Sequence, residues 1–67
     1  MASVKTVRDN VARTIAGKQV LLAELRTQAD SAHGVTRTVL TASIGFLELN
    51  LEELGRILAD LGACLDT

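Results

Sequence analysis

The chain lacks proline, tryptophan and tyrosine, and it contains one phenylalanine and one cysteine. Because proline interrupts helices, its absence leaves glycine as the principal helix breaker. The single Cys64 excludes an intrachain disulfide, and one cysteine with one histidine cannot supply the four ligands of a structural zinc site. One aromatic residue offers no platform on which nucleic-acid bases could stack. We therefore expect no metal and no cofactor.

The chain also lacks a strong net charge and a long apolar run. Its net charge of −1 attracts neither nucleic acid nor acidic lipid. No stretch approaches the ~20 apolar residues of a membrane span, and the N-terminal residues do not follow the pattern of a secretory signal. We therefore expect a cytoplasmic protein with no membrane association.

What the chain has in abundance is apolar side chains, at 48% of its 67 residues. A chain of this length buries only about 60% of the surface that its unfolded form exposes. Domains this small commonly need disulfides, a metal or oligomerisation for stability. Since the first two are excluded, the composition predicts self-association.

A heptad pattern of leucine and isoleucine dominates the C-terminal half. Steps of four and three residues alternate, which places the residues on one narrow stripe of a helix, as in a coiled-coil seam. We call this stripe the seam, and it comprises Leu40, Ile44, Leu47, Leu51, Leu54, Leu58, Leu61 and Leu65. The seam predicts a helix that packs lengthwise against other helices, and it indicates no chemistry.

A second amphipathic stripe runs through the N-terminal half. Ser3 is a suitable N-cap for this helix. The apolar spacing continues unchanged across Gly17, from Ile15 to Leu22, so we predict one continuous helix over about 4–32. Its apolar positions cluster within roughly 100° of one another, and they are Val4, Val7, Val11, Ile15, Leu22, Leu25, Ala29 and Ala32.

The dipeptide His33-Gly34 is the one clear break between the two stripes. Glycine adopts positive φ without penalty, so we expect Gly34 to end the first helix in the left-handed conformation. Thr36 is then placed to cap a second helix over about 36–65. Two helices of near-equal length with a short connection fold back antiparallel.

The charges of the two halves favour the same arrangement. Residues 1–37 carry a net charge of +3 and residues 38–67 carry −4, so the helices attract each other weakly across a hairpin. We predict that residues 1–67 form a single all-α domain, an antiparallel two-helix hairpin. Gly55 and Gly62, one heptad apart, are candidates for a close crossing of the helices.

Beside the seam, the second helix carries further apolar residues at steps of seven, eleven and seven, each close to a whole number of helical turns. This apolar flank comprises Val39, Phe46, Ile57 and Cys64. Seam and flank together span about 160°, which is more than one neighbouring helix can cover. We predict a homodimer that forms a four-helix bundle; another helical protein that supplies the missing helices is the alternative. The predicted interface comprises Val39, Leu40, Ile44, Phe46, Leu47, Leu51, Leu54, Ile57, Leu58, Leu61 and Leu65.

Lys18 is the residue that departs most from its surroundings, because it lies within the apolar stripe of the first helix. In an antiparallel hairpin it falls opposite Asn50, with Glu48 or Glu53 within one turn. We interpret Lys18 and Asn50 as a polar layer that fixes the register of the helices. A catalytic lysine would need an accompanying acid, base or phosphate-binding loop, and the sequence offers none.

The sequence therefore predicts a small non-catalytic protein–protein interaction module: an adaptor, co-chaperone or scaffold that acts through its helical seam and self-associates. The alternative function is a regulatory hairpin that binds nucleic acid through the arginines of the first helix, Arg8, Arg13 and Arg26. Arg13 lies about 140° from Arg8 and Arg26 around the helix, so the three do not form one basic face and we do not expect nucleic acid as the partner. No motif in the chain identifies a known family.

Overall fold

The computed structural model describes residues 3–65, and for Leu65 the backbone only. It contains two helices, α1 over Val4–Ser31 and α2 over Gly34–Leu65. Arranged end to end, these 28 and 32 residues would extend about 90 Å at 1.5 Å per residue. The longest dimension of the molecule is 50 Å and the other two are 17 and 15 Å, because the helices fold back and pack along their length. The predicted all-α helical hairpin is confirmed.

Helix α1 begins as the sequence predicts. The hydroxyl of Ser3 accepts a hydrogen bond from the Thr6 backbone N–H at 3.1 Å, and the Ser3 carbonyl accepts one from the Val7 N–H at 3.0 Å. These bonds satisfy amide groups that have no partner within the helix. Gly17 does not split α1, which continues unbroken to Ser31.

The connection between the helices consists of Ala32 and His33. Ala32, in an extended conformation, closes α1 as its N–H donates to the Ala29 carbonyl at 3.2 Å. Gly34 has φ of +61°, the only positive φ among the described residues, so the left-handed conformation is confirmed. Its predicted position was wrong, since Gly34 begins α2 rather than ending α1. Thr36 accordingly lies inside α2 and does not cap it.

The interior of the hairpin is thin. Only Leu22, Ala29 and Leu47 are buried among the described residues, each between 8 and 9% exposed, and no described side chain falls below 2%. Other α1 stripe residues are half-buried, whereas Val4 and Val7 near the open end are exposed. Two helices bury only one stripe each, so nine large apolar side chains among the described residues remain exposed.

Candidate interaction surface

The seam of α2 packs against α1 within the hairpin. Leu47 is buried, and the six other seam side chains that the structure describes are half-buried: Leu40, Ile44, Leu51, Leu54, Leu58 and Leu61. The side chain of Leu65, the last residue of the predicted interface, lies outside the described part of the chain. The contact with α1 therefore uses much of the seam, and the surface available to a partner lies beside it.

The apolar flank is that surface. Val39 is 57% exposed, Ile57 46% and Phe46 76%, and Cys64 is exposed as well. Phe46 is the only aromatic residue of the chain, and aromatic side chains are the ones that contribute most when buried. Placing it on the surface forgoes that contribution unless another molecule covers it.

Phe46 and Asn50 border two open grooves on this side of the hairpin. The main groove, of about 480 Å³, lies between the helices and is lined by Lys18, Leu21, Leu25, Ala42, Ser43, Phe46, Leu47 and Asn50. The second groove, of about 340 Å³, lies along α2 and is lined by Phe46, Leu49, Asn50, Glu52, Glu53 and Arg56. The main groove is mostly apolar with a few polar groups, which is the composition of binding surfaces. The second groove has four polar or charged residues beside Phe46 and Leu49.

Leu21 forms part of the main groove and was not predicted from the sequence. It is 47% exposed and lies about 70° from the centre of the α1 stripe at 100° per residue, so the predicted stripe did not include it. Its spacing of four residues from Leu25 was the one available signal, since residues four apart lie on the same side of a helix.

Lys18 and Asn50 line the same groove, as their positions in an antiparallel hairpin require. The Oδ1 atom of Asn50 is buried and has no hydrogen-bond partner, and leaving such a group unsatisfied costs about 1–3 kcal/mol. No ion pair joins Lys18 to Glu48 or Glu53 within residues 3–65, and Glu48 pairs with Arg26 instead. The role of Lys18 and Asn50 as a register layer stays a prediction.

The other side of the hairpin is polar. Arg26 donates to the carboxylate of Glu48 across the helices at 3.2 Å, and both side chains are about half exposed. On α1, Arg8 lies 3.7 Å from the carboxylate of Asp9. Two of the three arginines considered for nucleic-acid binding thus already have acidic neighbours, which reduces the positive potential of this side.

Gly55 and Gly62 do not mark a close crossing within the hairpin. A Cβ atom built on either glycine would meet nothing within 4 Å, so α1 does not approach α2 there. Within the hairpin the prediction was wrong, because both glycines lie away from the line of contact between α1 and α2; a close crossing with a helix of another chain stays a prediction. A spacing of seven residues shows that two positions share a face, but not which face meets the neighbouring helix.

The exposed area is large for the size of the chain. It amounts to 4981 Å², about 900 Å² more than the roughly 4,080 Å² typical of a compact monomer of 7.1 kDa. A standard protein–protein interface covers about 800 Å² on each partner. The excess is therefore of the size that one interface would remove.

Two further observations concern sites other than protein interfaces. Within the described residues, no group of three or more His, Cys, Asp and Glu side chains comes together that could hold a metal ion. In the same part of the chain, neither helix has the length and apolar character needed to cross a bilayer.

Comparisons with protein-family models, curated proteins and solved structures found no match to this chain.

Proposed function

We propose that this protein is a small non-catalytic interaction module, of the adaptor, co-chaperone or scaffold type, that works in the cytoplasm as a homodimeric four-helix bundle. The observation that carries the proposal is the exposure of Phe46, the only aromatic residue, in the middle of an apolar flank. Exposed apolar patches of this kind mark protein interaction sites on soluble proteins.

The energetic reason for self-association is the small interior of the single hairpin. Three buried side chains provide little of the roughly 3–10 kcal/mol by which a domain of this length is stable. Covering the main groove and the flank with a second hairpin would add a second apolar layer without changing the packing of the first. The dimer then supplies the core that one copy lacks.

Mass measurement by multi-angle light scattering at micromolar concentration tests this proposal. We expect twice the 7.1 kDa of the single chain. Phe46→Asp places a charge in the proposed interface and should return the protein to a monomer. Val20→Asp is the matched control, because Val20 is 61% exposed and lines neither groove, and this variant should remain a dimer. A folded wild-type monomer would refute self-association.

The adaptor role is tested by capturing partners with the purified chain. The wild type and the Val20→Asp variant should each recover one other helical protein in stoichiometric amount, and Phe46→Asp should not recover it. This result would identify the flank as the binding surface.

The competing function, nucleic-acid binding through α1, is favoured only by the net charge of +3 on residues 1–37. It predicts binding to heparin that weakens steeply as salt is raised.

A further inference from the structure

We propose that the two copies associate through an antiparallel contact between their α2 helices, with Val39 opposite the second copy's Cys64, Phe46 opposite its Ile57 and Asn50 opposite its Glu53. This inference rests on the proposed self-association and specifies its geometry. It assigns the apolar flank to a second copy of the same chain, and it adds Asn50 and Glu53 to the contact.

The first argument is the symmetry of one stripe on α2. We call it the dimer stripe, and it comprises Val39, Phe46, Asn50, Glu53, Ile57 and Cys64. The steps between successive members are seven, four, three, four and seven residues, so the stripe has the same spacing in both directions along the helix. A two-fold contact requires this property, because residue i must meet residue j while j meets i.

The second argument is the position of the stripe on the helix. At 100° per residue its six members lie within about 60° of one another, which is the width of a helix–helix contact. Five of the six are exposed and Asn50 is half-buried. The stripe is about 37 Å long, most of the 50 Å length of the molecule.

The chemistry of the paired positions also favours the antiparallel orientation. The outer four members of the stripe are apolar and meet each other, while the polar pair Asn50 and Glu53 occupies its centre. In a parallel two-fold contact each residue would instead meet its own copy, and the two Glu53 carboxylates would face each other. Like charges directly opposed at an interface are unfavourable, whereas the Asn50 amide can donate to the carboxylate of the second copy's Glu53.

The centre of the contact lies at the end of the main groove that Lys18 and Asn50 line. Two lysines and two glutamates then surround the two-fold axis, and their charges balance. Lys18 is also a donor available to the buried Oδ1 atom of Asn50, which has no partner in the single hairpin. A polar layer of this kind fixes register and partner orientation at some cost in stability.

The area available agrees with this pairing. Phe46 and Val39 on one half of the stripe and Ile57 on the other are 46–76% exposed, and each meets an apolar residue of the second copy. The excess surface of about 900 Å² over a compact monomer matches the roughly 800 Å² that a standard interface covers on each partner. The antiparallel contact places the turns of the two hairpins at opposite ends of the bundle.

Chemical cross-linking of cysteines tests the geometry directly. Val39→Cys introduces a thiol that should lie opposite the natural Cys64 of the second copy. A short bismaleimide, matched to helix axes about 8–10 Å apart, should then convert this variant into covalent dimers on a denaturing gel. Linkage within one chain is excluded, because residues 39 and 64 are separated by about 37 Å along the same helix.

Three controls make the outcome specific. The wild type, which has only Cys64, should give no covalent dimer, and neither should Val39→Cys combined with Cys64→Ser. The third control, Thr41→Cys with the natural Cys64, places the new thiol on another side of α2 and should also remain unlinked. Because Val39 and Thr41 are both exposed, circular dichroism should show each variant folded.

The possible results separate this inference from the proposed function. Covalent dimers in Val39→Cys, and in none of the three controls, would support the antiparallel contact. A dimeric mass with cross-linking through Cys64 in the wild type would overturn it in favour of a parallel contact. A dimeric mass with no linkage in Val39→Cys would also overturn it, and would place the contact on another face of the hairpin. A monomeric mass at micromolar concentration would refute the self-association itself. As a second measurement, Phe46→Ala should raise the dimer Kd about 30-fold or more, as expected for an aromatic side chain that the interface buries.

Discussion

Two leucines, two residues apart on α2, allow a direct test of where the interior of the hairpin lies. Leu47 is 8% exposed and Leu49 is 65% exposed. Replacing either one with alanine removes the same atoms from the same helix, and leucine and alanine have similar helix propensities. Any difference in stability between the two variants therefore reports the difference in burial.

The expected magnitude follows from the exposed fractions. A leucine-to-alanine change removes the equivalent of three methylene groups, about 2.4 kcal/mol at ~0.8 kcal/mol each for full burial. Scaled by the buried fraction, Leu47→Ala should lower the free energy of unfolding by about 2.2 kcal/mol and Leu49→Ala by about 0.8 kcal/mol. The difference, about 1.4 kcal/mol, is tenfold in the folding equilibrium constant.

Thermal and urea unfolding followed by circular dichroism would measure this difference. At about 4–8 °C per kcal/mol, Leu47→Ala should melt roughly 9–18 °C below the wild type and Leu49→Ala roughly 3–6 °C below it. All proteins must be compared at one concentration, because the stability of a dimer depends on concentration. Equal losses in the two variants would show that the described packing of α2 against α1 is wrong.

Three further changes test other parts of the hairpin. Gly34→Ala should destabilise the protein by about 1–2 kcal/mol because φ is +61° there. Gly45 lies in open space on α2, so Gly45→Ala should stabilise the protein by up to about 1 kcal/mol. Melting temperatures that shift in the same direction in both variants would contradict this. Leu54→Asp buries a charge in the seam and should abolish the helical circular dichroism signal; a folded variant of unchanged mass would refute the seam. Glu48→Gln removes the exposed pair with Arg26 and should cost less than ~1 kcal/mol, with a smaller effect at high salt.

The sequence predicted the fold because its dominant signals are local. The heptad spacing of the seam, the Ser3 cap and the glycine at 34 each act within a few residues, and the structure has both helices and the left-handed Gly34. The helix bounds near the turn were displaced by one or two residues, because glycine with positive φ can begin a helix as well as end one. Local sequence does not decide between the two.

The surface was harder to predict because it depends on how two helices meet. The exposure of the apolar flank follows from the sequence, because seam and flank together are wider than one neighbouring helix can cover. The position of Leu21 in the main groove does not, because it depends on which side of α1 is left uncovered by α2. The same reason explains the error at Gly55, where open space surrounds the helix. Likewise, the pairing of Arg26 with Glu48 depends on the distance between the two helices and on the side-chain conformations, which cannot be predicted from residue spacing.

The connection of two residues between the helices has a consequence for the rate of folding. Ala29, buried just before the turn, meets α2 after a short loop closure, which has a low entropic cost. Each further contact lies farther from the turn, so the hairpin should close from the turn toward the open end and do so quickly, as proteins rich in local contacts do. Opening should begin at the exposed Val4 and Val7, and amide hydrogen exchange should be fastest in the first turns of α1.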